Sequence, residues 1–398
     1  VQLRSSGSRF AGLDHLRALA IIIVFVYHYR NYGNPPGLHE WLGSWGWTGV
    51  DLFFVLSGYL IGGQLFARIA KDQPISYGEF YFKRSLRILP AYLFVLAIYF
   101  IFPGFRERSE LPPLWRFLTF TQNFGLDLVE HGAFSHAWSL CIEEQFYLIL
   151  PLFIIGLTAL RSHKKAVWLL PVLFVFGFAI RTFNWYHYLL PHLQAGDGLF
   201  GRAYYRLIYY PTYARLDGLL AGVGLAAFYY FQPVRWQKLT SRGNLVFGIA
   251  VLLIAAAWLV AHDDNQYTVY GAIFGYPLIA IAYGALALAA LSPSCFLYRW
   301  SSSFTRLIAT LSYSIYLTHK QLIHLTHLFL SKHGFTDDSY ATFWISVAIA
   351  FLGGWALHLA IEKPFLRLRD KFLARRRAAA QTSAPAVSSM PATPPRPQ

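Results

Sequence analysis

The chain has 398 residues, of which 56% are hydrophobic, 18% aromatic and only 13% charged, a composition that excludes an ordinary soluble domain of this length. A formal charge of +15 raises the question of a nucleic-acid partner, but the basic residues fall in short loops between apolar runs rather than along one soluble face, which is the pattern of membrane topology. The two cysteines, Cys141 and Cys295, sit in or beside apolar segments and supply no framework of secreted disulfides.

Runs such as 244–262, 270–292 and 342–361 reach the roughly 20 apolar residues that carry a helix across a bilayer. A transmembrane β-barrel would show shorter, alternating segments. The pattern predicts an all-α, polytopic transmembrane bundle of about ten spans near 13–30, 48–67, 88–104, 138–158, 167–187, 207–230, 244–262, 270–292, 307–330 and 341–362. Arg4 and Arg9, the group from Arg68 to Arg87, Arg161 with Lys164 and Lys165, Arg235 to Arg242, Arg299 with Arg306, and the cluster from Lys363 to Arg377 then share one side. That side is the cytoplasm, with both termini on it. No cleavable leader is expected, because the first apolar run has full span length.

Ionisable groups inside spans are costly and each is a functional candidate. In the first span Arg17 and His28 stand eleven residues apart, an offset of about 20° past three helical turns and a separation of roughly 16 Å, so both face one stripe. Arg17 is a topology anchor or a phosphate ligand; His28 is an interfacial histidine or an acid–base group. In the second span Asp51 lies at the outer helix N-terminus, a position that favours a carboxylate in any case, and Gly58, Gly62 and Gly63 either pack helices or shape a pocket. Arg84 and Arg87 stand one turn apart where the third span leaves the cytoplasm, as snorkelling anchors or as a guanidinium pair for a phosphate.

The segment 105–137 is too short to span and too aromatic for a plain loop, and predicts an interfacial or re-entrant element on the outer side. In the fourth span Glu143 shares a stripe with Ser139 and Tyr147, whereas Glu144 lines up with Leu140 and Leu148. Glu143 therefore faces the polar interior, for chemistry or for pairing with a buried arginine such as Arg215. Cys141 reads as a packing residue. Arg215 and Asp217 in the sixth span form an ion-pair network or meet substrate, and the ninth adds Tyr316, His319 and Lys320. The last span closes at 361–365, with Pro364 stopping it. Residues 1–374 make one membrane domain, and 375–398 a basic, then Pro/Ala/Ser-rich, disordered cytoplasmic tail.

Depth sorts these groups into two zones. Arg17, Arg84 and Arg87 gather at the cytoplasmic surface, and His28, Asp51, Glu143, Arg215 and Asp217 lie at mid-depth or beyond. The first span thus forms one wall of a polar passage, suited to an anionic phosphate-bearing donor within and to proton transfer towards the outside. A proton-coupled exporter or flippase is the competing class, against which no inverted repeat is found. The scattered histidines show no metal-ligand spacing.

The motifs "GLDHLRALAIIIVFVYHY", "GVDLFFVLSGYLI", "RSLRILPAY", "WSLCIEEQFYLILP", "ARLDGLLAG", "SYSIYLTH" and "EKPF", in this order over roughly 9–368, resemble the acyltransferase 3 family of integral-membrane O-acyltransferases. The resemblance implies transfer of an acyl group, commonly acetyl, from cytoplasmic acyl-CoA to a hydroxyl of a cell-surface glycan, an exported glycolipid or a small molecule such as a macrolide. It places the family's Arg-x10-His pattern on Arg17 and His28, with the histidine catalytic, its basic motif on Arg84 and Arg87, and its Trp-Ser-Leu and Glu-Glu-Gln-Phe-Tyr pattern on Trp138–Leu140 and Glu143–Tyr147. His15 departs from it, standing where many members have a small residue.

On this basis His28 is expected to be the general base, oriented by Glu143 or Asp51, and Arg17, Arg84 and Arg87 to hold the donor's phosphates. Trp138, Ser139, Tyr147, Arg215, Asp217 and His319 are expected to meet the acceptor. No metal or permanently bound cofactor is expected, and acyl-CoA is the co-substrate. The family implies a multi-pass protein of a bacterial inner membrane. Some members carry an esterase-like domain after the last span, whose signature is not seen in this sequence, nor is a Gly-x-Ser-x-Gly elbow.

Overall fold

A computed structural model describes residues 11–35, 37–159 and 169–382, and among them all regular structure is helical. In chain order the α-helices are α1 (Ala11–Tyr29), α2 (Leu38–Trp45), α3 (Gly49–Ile69), α4 (Tyr77–Ile101), α5 (Leu114–Leu118), α6 (Trp138–Ala159), α7 (Leu169–Asn184), α8 (Leu190–Ala195), α9 (Phe200–Tyr204), α10 (Asp217–Phe231), α11 (Pro233–Thr240), α12 (Gly243–Ala261), α13 (Tyr276–Ala290), α14 (Phe296–Arg299), α15 (Ser303–Ser331), α16 (Tyr340–Leu357) and α17 (Lys363–Thr382). The expected basic residues Arg4, Arg9, Arg161, Lys164 and Lys165, and the tail 383–398, lie outside the described residues.

Seven helical segments among the described residues are long and apolar enough to cross a bilayer: Ala11–Tyr29, Leu42–Ile69, Tyr77–Ile101, Ser135–Ile155, Gly243–Ala261, Gly271–Ala290 and Tyr340–Arg376. The other three expected spans depart from that pattern for physical reasons. The helix that begins as α7 runs on through a π turn at Trp185–Leu189 into α8, but Arg181, Asn184 and His187 lower its hydropathy. The expected span 207–230 is broken by Pro211, which cannot donate a backbone hydrogen bond, and only the 15 residues of α10 follow as regular helix. The 29 residues of α15 are long enough, but histidines, a lysine and hydroxyls face the protein interior and lower the helix's hydropathy.

Two further boundaries differ from expectation. α4 begins at Tyr77 instead of near 88, so Arg84 and Arg87 ride on about three added turns of helix and share a face at one-turn spacing. Pro364 does not end the last span. A π turn over His358–Glu362 shifts the hydrogen-bond ladder just before it, the proline falls in the first turn of α17, and the helix runs on to Thr382. Residues 375–382, expected in a disordered tail, are therefore helical.

α3 and α10 pack at backbone contact. A Cβ on Gly58 would run into the Leu219 carbonyl, and one on Gly222 into that of Val55. Gly58 thus serves helix packing, as Gly62 does against Ala226 and Val223.

The segment 105–137 does not span. Its α5 has five residues, and the rest folds back as a plug whose Phe134 stacks with Tyr92 of α4 and with Phe117, which meets Phe100 of α4 edge-on. Phe134 sits in the left-handed region at φ 54°, which turns the chain so that Ser135 and His136 point into the helical bundle. Glu107 anchors this plug: it accepts from the Tyr99 hydroxyl at 2.7 Å and the Phe134 amide at 3.1 Å, and pairs with Lys320 of α15 at 3.3 Å.

Candidate active site

One end of the bundle opens into a cavity of about 700 Å³. Arg17 of α1, Lys83, Arg84 and Arg87 of α4, and Arg369 of α17 line it, so the three arginines singled out from the sequence come together. Lys83 and Arg369 had been assigned to topology alone. Arg369 reaches the cavity because α17 continues past Pro364 and packs on α4, with Phe372 against Phe82 at 4.7 Å between ring centroids.

Deeper in, the cavity is lined by Ser57, Ser139, Glu143, Tyr147 and Tyr316. Glu143 accepts from Ser57 Oγ at 3.0 Å and from the Tyr147 hydroxyl at 2.9 Å. The Arg84 guanidinium lies over the Tyr147 ring at 4.4 Å. Glu143 and Tyr147 thus join the cation-lined wall, one helical turn apart on α6 as the stripe predicts.

His28 lies beyond the cavity's far wall. Its Nδ1 is 2.8 Å from Nε2 of His319, with ring centroids 4.8 Å apart. His136 completes a triangle, 5.3 Å from His319 and 6.3 Å from His28 between centroids, and its Nδ1 has no partner among the described residues. Tyr316 joins this cluster to the cavity: its hydroxyl bonds Ser139 Oγ and the His136 carbonyl, each at 2.6 Å, and its ring is 5.7 Å from both His136 and His319. The 2.8 Å contact is too short for both facing nitrogens to bind one metal, which would hold them roughly 3.3 Å apart.

This geometry corrects the expected partner of His28. Neither Glu143 nor Asp51 contacts it; the stripe on a single helix gives a side chain's direction but not which helix stands opposite. Asp51 instead accepts from Arg215 Nη2 with both oxygens, at 2.9 and 3.0 Å, and so Arg215 does not pair with Glu143. Asp217 is likewise bonded by Arg181 at 2.7 and 3.1 Å. All four charges are buried, and the Arg215 guanidinium is boxed by the rings of Tyr276 at 4.1 Å, Tyr209 at 4.8 Å and Trp138 at 5.2 Å.

Of the residues expected to meet the acceptor, Ser139 and Tyr147 line the cavity and His319 touches His28. Arg215 and Asp217 are tied up in the paired charges, and Trp138 packs between Arg215 and the rings of Tyr209, Tyr210 and Phe54. Sequence reasoning passed over His136, Glu107 and Arg181. Arg181 carried a usable signal, an arginine inside the apolar run "LFVFGFAIRTFN". His136 had only its position two residues before Trp138. His15, the departure from the family pattern, bonds Thr305 Oγ1 and the Trp300 carbonyl, each at 2.8 Å, and stacks on Trp300, tying α1 to the start of α15. Cys141 and Cys295 are buried free thiols.

A helical membrane protein in which a cation-lined cavity meets buried imidazoles at a shared tyrosine sets groups that suit an anion beside groups that suit a proton. The chain belongs to the acyltransferase 3 family, whose acyltransferase domain matches residues 10–360. It is 30% identical over 345 residues to the peptidoglycan O-acetyltransferase OatA of Listeria monocytogenes, covering 81% of this chain and 51% of that protein. It is also 30% identical over 332 residues to the O-acetyltransferase OatA of Staphylococcus aureus, covering 78% and 50%. The chain thus spans about half the length of these curated relatives. No solved structure matches it.

Proposed function

We propose that this protein is a membrane O-acetyltransferase that moves an acetyl group from cytoplasmic acetyl-CoA to a hydroxyl of a glycan at the outer face of a bacterial inner membrane. Ten spans carry it, with both termini in the cytoplasm and the cation-lined cavity opening there. The observation that carries the reading is the continuity of the two zones. Arg17, Lys83, Arg84, Arg87 and Arg369 surround one cavity, and that cavity ends on Tyr316, which touches the histidine cluster.

The cations hold the phosphates of the nucleotide end, with the guanidinium forks of Arg84 and Arg87 suited to phosphate oxygens. The pantetheine arm runs through the cavity from Arg17 past Ser57 and Ser139 towards Tyr316, on whose far side the histidine cluster stands. His28 takes the proton of the acceptor hydroxyl as its oxygen attacks the thioester carbonyl. A carbon–oxygen bond forms, the carbon–sulfur bond breaks, and the proton held by His28 passes to the departing CoA thiolate. The name of the Listeria relative favours peptidoglycan as the acceptor, ahead of other surface polysaccharides and exported glycolipids.

Membranes holding the wild-type protein, given labelled acetyl-CoA, are expected to move label into the glycan fraction. His28→Ala removes a general base worth about 10²–10⁴-fold and should abolish that transfer while the variant still inserts and binds acetyl-CoA. Wild-type turnover by a correctly inserted His28→Ala would overturn the role given to His28.

A further inference from the structure

In a neutral imidazole one ring nitrogen donates and the other accepts, and the partner of one decides the role of the other. Nδ1 of His319 faces the backbone carbonyls of Tyr316 at 2.8 Å and Ile315 at 3.2 Å. A carbonyl oxygen only accepts, so the proton of His319 sits on Nδ1 and its Nε2 presents a lone pair. That lone pair faces Nδ1 of His28 at 2.8 Å. His28 must therefore carry its own proton on Nδ1, which leaves its Nε2 bare.

We propose that His319 is a positioning residue that fixes His28 in the tautomer whose Nε2 is free to accept the acceptor's proton. The proposal rests on the role given to His28 above. It assigns to a histidine bonded to its own helix backbone the task that a carboxylate performs in a Ser-His-Asp triad, where the wrong tautomer alone costs orders of magnitude in rate. The surroundings suit that task. His319 is fully buried, its ring is held by two backbone acceptors of α15, and Phe25 at 6.4 Å and His136 at 5.3 Å flank it. Lys320 next to it is tied to Ser135 and Glu107 instead of to either imidazole.

The test uses the full chain in lipid nanodiscs, with labelled acetyl-CoA as donor and soluble peptidoglycan strands as acceptor. His319→Leu keeps the bulk but removes the lone pair, and should lower kcat by about 10²-fold or more with both KM values within threefold of wild type. His319→Gln can place its side-chain carbonyl near the position of Nε2 and should recover most of that loss; the shorter His319→Asn should not. Unchanged kcat in His319→Leu, a rise in acceptor KM at constant kcat, or a His319→Gln no better than His319→Leu would each overturn the proposal.

A second readout does not depend on turnover or on any substitution at His319. In ¹⁵N-histidine-labelled wild type, the resonances lost in His28→Ala should report a protonated Nδ1 and a bare Nε2, and the opposite assignment would overturn the proposal. If His28→Ala instead keeps full activity, the role given to His28 fails, a result distinct from an active His319→Leu beside an inactive His28→Ala.

Discussion

The hydroxyl of Tyr316 bonds Ser139 Oγ and the His136 carbonyl, each at 2.6 Å, so a single phenol closes the cavity on one side and braces the histidine cluster on the other. Tyr316→Phe keeps the ring and removes both bonds, leaving buried polar groups to find other partners. A loss of about 1–3 kcal/mol in stability is expected. Ser139→Ala should share part of it. Thermal unfolding of the two single variants and the double variant checks this, with non-additivity as the expected signature of the shared bond.

The cations around the cavity should act on donor binding rather than on chemistry. Arg84→Ala and Arg87→Ala each remove a charge-assisted contact worth about 1.5–3 kcal/mol, which is roughly 10- to 150-fold in the acetyl-CoA dissociation constant. Arg369→Ala should act in the same direction by a smaller factor, because Arg369 also pairs with Asp370. Titration of acetyl-CoA against the purified variants measures this. Unchanged binding would return these residues to the role of membrane anchors.

Asp51 was expected to orient the base, and its bond to Arg215 predicts a different phenotype. Asp51→Ala leaves a buried guanidinium uncompensated, at a cost of about 3–5 kcal/mol, so the variant should lose folded protein instead of yielding a stable, inactive enzyme. Asp217→Ala should do the same through Arg181. Detergent-solubilised melting profiles distinguish the outcomes, and a well-folded, inactive Asp51→Ala would restore Asp51 to the catalytic machinery.

Two glycines of α3 should differ sharply. Gly58→Ala drives a methyl group into the Leu219 carbonyl and should cost about 1–3 kcal/mol by forcing α3 and α10 apart. Gly63→Ala meets nothing nearer than a Tyr230 ring carbon at 3.9 Å and should be neutral or slightly stabilising through helix propensity. Unfolding midpoints of the two variants measured side by side check the contrast.

The helical membrane character was legible because a run of about 20 apolar residues has few other uses. The clustering of Arg17, Arg84 and Arg87 was legible too, since all three fall at the same depth of their helices. What could not be read were contacts between helices distant in sequence. His28 and His319 are separated by 291 positions, and nothing in either helix alone says that they face each other. The same limit hid the pairing of Asp51 with Arg215 and of Asp217 with Arg181. Pro364 misled for a local reason: proline ends a regular α-helix, but a π turn one step earlier places it where no backbone donor is required.

The plug formed by 105–137 brings two roles into one stretch of chain. It contributes His136 to the histidine cluster, and through Ser135 and Glu107 it holds Lys320 beside His319. A surface loop that merely selected a glycan could be exchanged between relatives without touching the chemistry. Here the exchange would also replace His136 and both partners of Lys320, so the histidine cluster and this segment change together.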